Sequence, residues 1–161
     1  MKEIKIATEM IWAKNKYDIM ARGYEKYSAI KQMFKQSNSI SNYSTIYNEI
    51  KMMRDLPYKT NAIVNTLEHI WGYFKKRATH EEKQQFFLYL EKIQKLPTQS
   101  FIQLPTEVAQ LIIFAAYLAE KYAESYLQNT TILFPKLVWN EVTRKKSTIV
   151  ITTAFYQQKR A

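Results

Sequence analysis

Asn65, His69, Tyr73 and Lys76 lie together on one side of a stretch with helical periodicity. Their types could carry acid–base chemistry. His69 is a side chain whose ordinary pKa lies near neutrality, and a tyrosine hydroxyl can donate or accept a proton. His69 and Tyr73 are therefore the candidate catalytic groups. A working site would also need a carboxylate to orient the histidine and a nucleophile beside it. Glu68 is adjacent in sequence but turned about 100° away on a helix, and no such triad is legible. A hydrogen bond between helices is the competing role for His69. His80, in the first turn of a later helix, has little chemistry available to it. The opposite side of the same stretch is apolar, with Ile63, Leu67, Ile70 and Phe74 flanked by Val64 and Trp71. Gly72 lies beside the polar ridge, where a helical glycine costs roughly 1 kcal/mol relative to alanine. That cost suggests a close approach to the backbone.

Asn15 interrupts another apolar stripe, made by Ile4, Ile11, Trp12 and Ile19. Burying an amide without a partner costs about 1–3 kcal/mol, so Asn15 is expected to meet Asn65, His69 and Tyr73 in one polar cluster between helices. A basic set surrounds it: Lys14, Lys16, Arg22, Lys26, Lys31 and Lys35. No acidic residue occurs between Glu25 and Glu49, and tyrosines interleave at 17, 24, 27, 43 and 47. Cations with aromatic faces suit single-stranded or looped RNA, where phosphates are neutralised and bases stack. A solvated helix face would look similar. Lys75, Lys76 and Arg77 form a second basic cluster, and Arg144, Lys145 and Lys146 a third.

The net charge is +10, and residues 1–77 hold 14 basic and 7 acidic side chains. This balance favours a polyanionic partner. The 161 residues contain no cysteine, which removes disulfides, thiolate zinc and iron–sulfur ligation; two histidines leave little for a metal site, and no cofactor is expected. There is no phosphate-binding glycine loop and no nucleophile elbow. The longest apolar run, Leu111 to Ala119, is too short to span a bilayer. The first residues lack the apolar segment of a secretory signal, so a soluble cytoplasmic protein is expected.

The elements that must position these groups are helical almost throughout. Helices are expected over about Glu3–Ala21, Tyr24–Lys35, a segment after the polar loop Ser37–Ser41 reaching Arg54, a central helix from Pro57 to Arg77, a fifth from Thr79 to Lys95, and a sixth opened by Pro105. Thr79-His80-Glu81-Glu82 reads as a capping box. The tail changes character: Ser147 to Tyr156 is rich in β-branched and aromatic residues and could be a strand. A lone strand needs a partner, which a second copy of the chain could supply as a homodimer. The expected fold is all-α, a single-domain bundle of about six helices over residues 1–135, with an extended tail over 136–161.

Asn65-Thr-Leu-Glu-His69-Ile-Trp-Gly72-Tyr-Phe-Lys resembles the core motif of the YbgA-like family of bacterial domains of unknown function. Trp12-Ala-Lys-Asn15-Lys-Tyr17 is similar to the family's Trp-x-x-His-Lys-Tyr, with Asn15 where histidine is usual. Tyr24 to Tyr27, Glu82-Lys83, Leu96-Pro97, Tyr126-Leu127 and Pro135 follow in order, although Thr130 stands in place of a usual glutamine. The resemblance covers about Met10 to Pro135. It implies the helical fold. It also implies a context, because such domains occur alone or fused to a cysteine-bearing desulfidase domain that acts on thiolated uracil or thiolated tRNA. With no cysteine, this chain cannot perform that reaction. The expected function is a non-catalytic accessory module that binds RNA, with tRNA the favoured class. An adaptor docking a separate enzyme is the alternative, and a desulfidase-type protein is among the candidate partners. An enzyme using His69 is the third reading.

Overall fold

A computed structural model describes residues 1–158. Six principal helices make a single helical bundle: α1 (Lys2–Met20), α2 (Tyr24–Gln36), α3 (Ile40–Met53), α4 (Thr60–Trp71), α5 (His80–Gln94) and α6 (Thr106–Lys121). Two short helices follow, α7 (Ser125–Gln128) and α8 (Thr153–Gln158). Strands β1 (Tyr58–Lys59) and β2 (Ser100–Phe101) form a small antiparallel pair, as do β3 (Glu141–Arg144) and β4 (Ser147–Val150).

α1 is the central element. Its C-terminal residues Tyr17 and Met20, with Ala21 just beyond, join a core built with α4, α5, α6 and α7. Ile4, Ala7, Ile11 and Ile19 join a second core with Ile30 of α2, Tyr43, Ile46, Tyr47 and Ile50 of α3, and Val142, Ile151 and Tyr156 from the tail. A helix buried on several faces hides its polar groups as well, which is why Thr8, Lys14, Asn15 and Asp18 are all buried. The sixth helix, by contrast, leaves one flank open, with Ile113 and Tyr117 exposed.

Local signals are obeyed where they are self-contained. Ser39 caps α3 by accepting from the Asn42 N–H at 3.1 Å. Thr79 and Glu82 complete the capping box of α5 reciprocally, at 3.1 and 2.9 Å. The central helix differs from expectation at both ends. Residues 58–59 pair with β2 before the helix starts, and the helix stops at Trp71 rather than at Arg77. From Gly72 to Phe74 the N–H groups bond three residues back, to His69, Ile70 and Trp71, a tighter winding than the α-helix. A Cβ on Gly72 would lie 3.1 Å from the His69 carbonyl oxygen. The close approach that a glycine suggested here is made by the helix's own backbone.

Of the strand expected over Ser147 to Tyr156, only Ser147–Val150 is strand, and Thr153 onward winds into α8; the strand's partner is β3 of the same chain, registered Val142 to Ile149 and Arg144 to Ser147. Pairing therefore does not require a second copy. Ile151 and Tyr156 then anchor the tail into the second core; the Tyr47 hydroxyl donates to the Ile151 carbonyl at 3.0 Å, and the Tyr156 hydroxyl lies 2.8 Å from Thr8 Oγ1. Among the described residues, no helix is long and apolar enough to cross a membrane.

Candidate nucleic-acid interface

One face of the bundle gathers aromatic rings from three helices and from the turn after α4. Trp12 of α1 stacks on Tyr27 of α2 with centroids 5.6 Å apart, and Tyr24 lies 5.5 Å from Tyr27. Tyr17 of α1 meets Tyr73, just beyond α4, edge-on at 6.3 Å, and their hydroxyls are 2.9 Å apart. Tyr73 in turn lies parallel to Tyr126 of α7 at 6.1 Å. Burial raises the Tyr17 hydroxyl pKa well above the ordinary phenol value, and the Tyr73 hydrogen bond adds to it. Burial also raises that of Tyr126, with Tyr27 contributing. Both stay neutral phenols under ordinary conditions.

Lysines sit over these rings. Lys16 Nζ is 5.1 Å from the Tyr17 centroid and 4.9 Å from that of Tyr126, and Lys31 Nζ is 5.6 Å from Tyr27. Such contacts hold a cation near a ring while leaving it partly solvated. Tyr24 is 51% exposed and Tyr126 37%. The face thus offers open ring surface next to positive charge, the pairing that takes up a base and its phosphate together.

The basic set divides. Lys16, Lys26, Lys31 and Lys35 reach the surface, Lys26 beside Glu25 at 3.0 Å. Lys14 and Arg22 do not, contrary to expectation, because the bundle buries them to 6% and 7% exposure. Lys14 donates to the Glu141 carbonyl at 2.9 Å. Burial lowers its ammonium pKa, an effect that the Glu141 carboxylate opposes. Arg22 is held by Asp18, by Tyr58 and by the Leu56 carbonyl. Lys75 and Lys76 are exposed. Arg77 is engaged with Glu124 and donates to the Tyr122 carbonyl at 2.8 Å, so it ties the α4 end to the α6–α7 junction.

The expected polar cluster also divides. Asn15 is fully buried and does not meet the ridge. Its amide donates to the Ile11 and Trp139 carbonyls at 2.8 and 2.9 Å, and its oxygen accepts from Arg54 at 2.8 Å and Thr131 at 3.0 Å. The reason is rotation about α1: Asn15 faces α3 and the tail, whereas Tyr17 faces the ridge. Tyr73 joins the aromatic face through Tyr17. Asn65 lines a recess of about 250 Å³ with Tyr24, Lys59 and Asn61. His69 is exposed at the surface. Asp18, at the centre of the buried ion cluster with Arg22 and Arg54, was absent from the sequence expectations. Its spacing of four residues from Arg22 was the available signal. Among the described residues, no group of three or more His, Cys, Asp or Glu side chains is placed to hold a metal ion.

A family model described as a protein of unknown function (DUF1722) matches residues 16–136. No curated protein and no solved structure matches the chain.

Proposed function

The chain belongs to the DUF1722 family, the YbgA-like domains, and from that premise we propose that it is a non-catalytic RNA-binding accessory module, with tRNA as the RNA class. The observation that carries this reading is the lysine-topped aromatic face. Trp12, Lys16, Tyr17, Tyr24, Tyr27, Tyr73 and Tyr126 come from four separated segments that resemble the family's motifs, and they converge on one surface. Tyr17 is buried and Trp12, Tyr27 and Tyr73 are half-buried, but Tyr24 and Tyr126 keep exposed ring surface. Exposed tyrosine faces beside ammonium groups suit splayed bases and their phosphates. The desulfidase context implied by the family makes thiolated tRNA the substrate class with which the module would cooperate. We place it in the cytoplasm with that RNA.

Fluorescence anisotropy with total tRNA tests the reading. Binding should weaken with salt, with a log–log slope of about 0.7 to 0.9 per phosphate contact. Lys16→Gln with Lys31→Gln should lower that slope. Tyr24→Leu with Tyr126→Leu should weaken binding by about 1–3 kcal/mol for each stacked base lost. Absence of binding at low salt, or binding insensitive to salt, refutes it. The adaptor reading would then lead. It is favoured by the open flank of α6, where Ile113 and Tyr117 are exposed beside Phe114, itself packed on Tyr89 at 5.8 Å.

A further inference from the structure

Two junctions of the chain meet at one recess of about 250 Å³: Gly23, where α1 turns into α2, and Lys59, where β1 passes into α4. The Lys59 N–H donates to the Ala21 carbonyl at 3.2 Å, which ties the two junctions together. Tyr24, Glu25, Asn61 and Asn65 also line the recess. Tyr24 belongs to the aromatic face as well. Its ring lies 5.5 Å from that of Tyr27, and the residue is half exposed, so ring surface is left at the recess.

The polar groups here divide by type. Glu25 only accepts. All three atoms of its carboxylate lie within 3.0 Å of the place a Cβ on Gly23 would take, so a side chain there would displace the carboxylate from the turn. Lys26 Nζ donates to Glu25 Oε1 at 3.0 Å, and Lys59 Nζ stands 3.5 Å from the same oxygen. The Lys26 hydrogen bond, with the residue's own N–H, holds this carboxyl below the ordinary glutamate range. A carboxylate has about four lone-pair sites, so these contacts leave it room to accept more. The other groups donate. Lys59 has no acceptor. Asn61 Oδ1 accepts from the Ala62 N–H at 2.9 Å, which leaves the Asn61 NH2 group as a donor. The Asn65 amide is half-buried and has no hydrogen-bond partner among the described residues.

We propose that this recess takes the base of a guanosine in single-stranded RNA: Tyr24 stacks on the base, Glu25 accepts from its N1–H and 2-amino group, and Lys59 and Asn65 donate to O6 and N7. This rests on the RNA-binding reading above and adds to it a base preference. Guanine alone among the four bases carries two adjacent donors on its Watson–Crick edge with an acceptor beside them. A carboxylate with an ammonium 3.5 Å away is the complementary set. Adenine would turn its N1 lone pair on the carboxylate, and cytosine its N3 lone pair. Uracil offers one donor between two acceptors. The recess is smaller than the roughly 300 Å³ at which pockets for drug-sized ligands begin, so it admits a base and leaves ribose and phosphate outside. Lys26 and Lys59 outnumber Glu25, which leaves positive charge for that phosphate.

The test is anisotropy with short labelled oligouridylates carrying one central guanosine, inosine, adenosine or cytidine, with the all-uridine oligomer as reference and the full chain as protein. Guanosine should bind about tenfold more tightly than the other three natural bases, the discrimination of one bidentate contact. Inosine keeps N1–H, O6 and N7 but lacks the 2-amino group, and should fall between. Glu25→Gln sets a donor against guanine's own donors and should erase the guanosine advantage. The all-uridine oligomer should then bind somewhat more tightly, an anion having been removed. Glu25 is exposed and its ion pairs are surface pairs of little worth. The variant's Tm should therefore stay within about 2 °C, and lost preference cannot be lost folding. Asn65→Ala should weaken the guanosine and inosine oligomers alike. Equal affinity for all bases, preference for another base, or a guanosine preference that survives Glu25→Gln overturns the site and leaves the RNA reading standing. Guanosine monophosphate that binds as tightly as the guanosine oligomer also overturns it, in favour of a free nucleotide. No binding of any oligomer or of tRNA at low salt overturns both.

Discussion

Asp18 accepts hydrogen bonds from Arg22 at 3.0 and 3.2 Å, from Arg54 at 3.3 Å and from the Tyr58 hydroxyl. Two guanidinium groups facing one buried carboxylate leave excess positive charge, which the oxygens of Asn15 and Thr131 help to accommodate. Asp18→Asn would keep the shape and remove the anion. It should cost about 3–5 kcal/mol in urea denaturation, as for other buried pairs that lose one partner; a loss under about 1 kcal/mol would show that the cluster is not electrostatically committed. Glu82 shows a different balance. Burial alone would raise its carboxyl, but the Lys121 ammonium at 2.6 Å, the Tyr122 hydroxyl and the Thr79 N–H outweigh that and hold it at about 2. An acid with a depressed pKa contributes stability that is present above its ordinary value of 4.5 and is lost as pH falls towards about 2. Stability of the Glu82→Gln variant should therefore decline less over that interval than stability of the unaltered chain. Parallel pH profiles for the two would count against the assignment.

At the scale of elements, the junction between α6 and α7 departs from what its sequence favours. Ala123 has φ 50°, its N–H bonds to the Glu120 carbonyl at 3.2 Å, and the Glu124 N–H bonds to the Ala119 carbonyl at 2.9 Å. This is a Schellman ending with alanine where glycine is usual. Ala123→Gly should stabilise the protein by about 0.5–1 kcal/mol, because the left-handed conformation strains an L side chain more than glycine's extra unfolded freedom costs. A thermal melt with no gain would show that the strain is relieved elsewhere. Thr79-x-x-Glu82 was readable as a helix start because both partners are within one turn. The end of α4 was not readable, because Lys75, Lys76 and Arg77 suit a helix terminus equally well as a turn, and Arg77 is claimed by Glu124 from a distant segment.

For the whole molecule, the tail is part of the second core. Tyr156 is 1% exposed, packs on Tyr47 with centroids 5.4 Å apart, and lies within hydrogen-bond reach of Thr8. Burial pushes its hydroxyl pKa up to about 12, an effect the Thr8 contact opposes. Tyr156→Ala should cost about 3–5 kcal/mol, the range for emptying a buried aromatic site. Removing everything from Ser147 onward should lower stability further by uncovering Ile46, Ile50 and Val142. A truncated chain that melts like the full one would mean that α1–α3 close without the tail. The same packing seats β3 and β4 against the side of α1, where Lys14 donates to the Glu141 carbonyl at 2.9 Å.

Periodicity and local chemistry alone determined the helical class, six principal helices, the cap at Thr79, and the strand that starts at Ser147. These depend on neighbours within a few residues, and short-range spacing encodes them. The rotation of α1 was decided only in three dimensions. Its stripe of Ile4, Ile11, Trp12 and Ile19 marks one face only, and a helix buried on several faces cannot be oriented from one stripe. That rotation sends Asn15, Lys14 and Arg22 inward, to distant partners between 34 and 127 residues away. It turns Lys16 outward over Tyr126, and it aligns Glu3, Ala7 and Met10 beneath the hairpin. Residue types made an aromatic and basic surface legible as a composition; packing alone chose which of those side chains remain at the surface to bind anything.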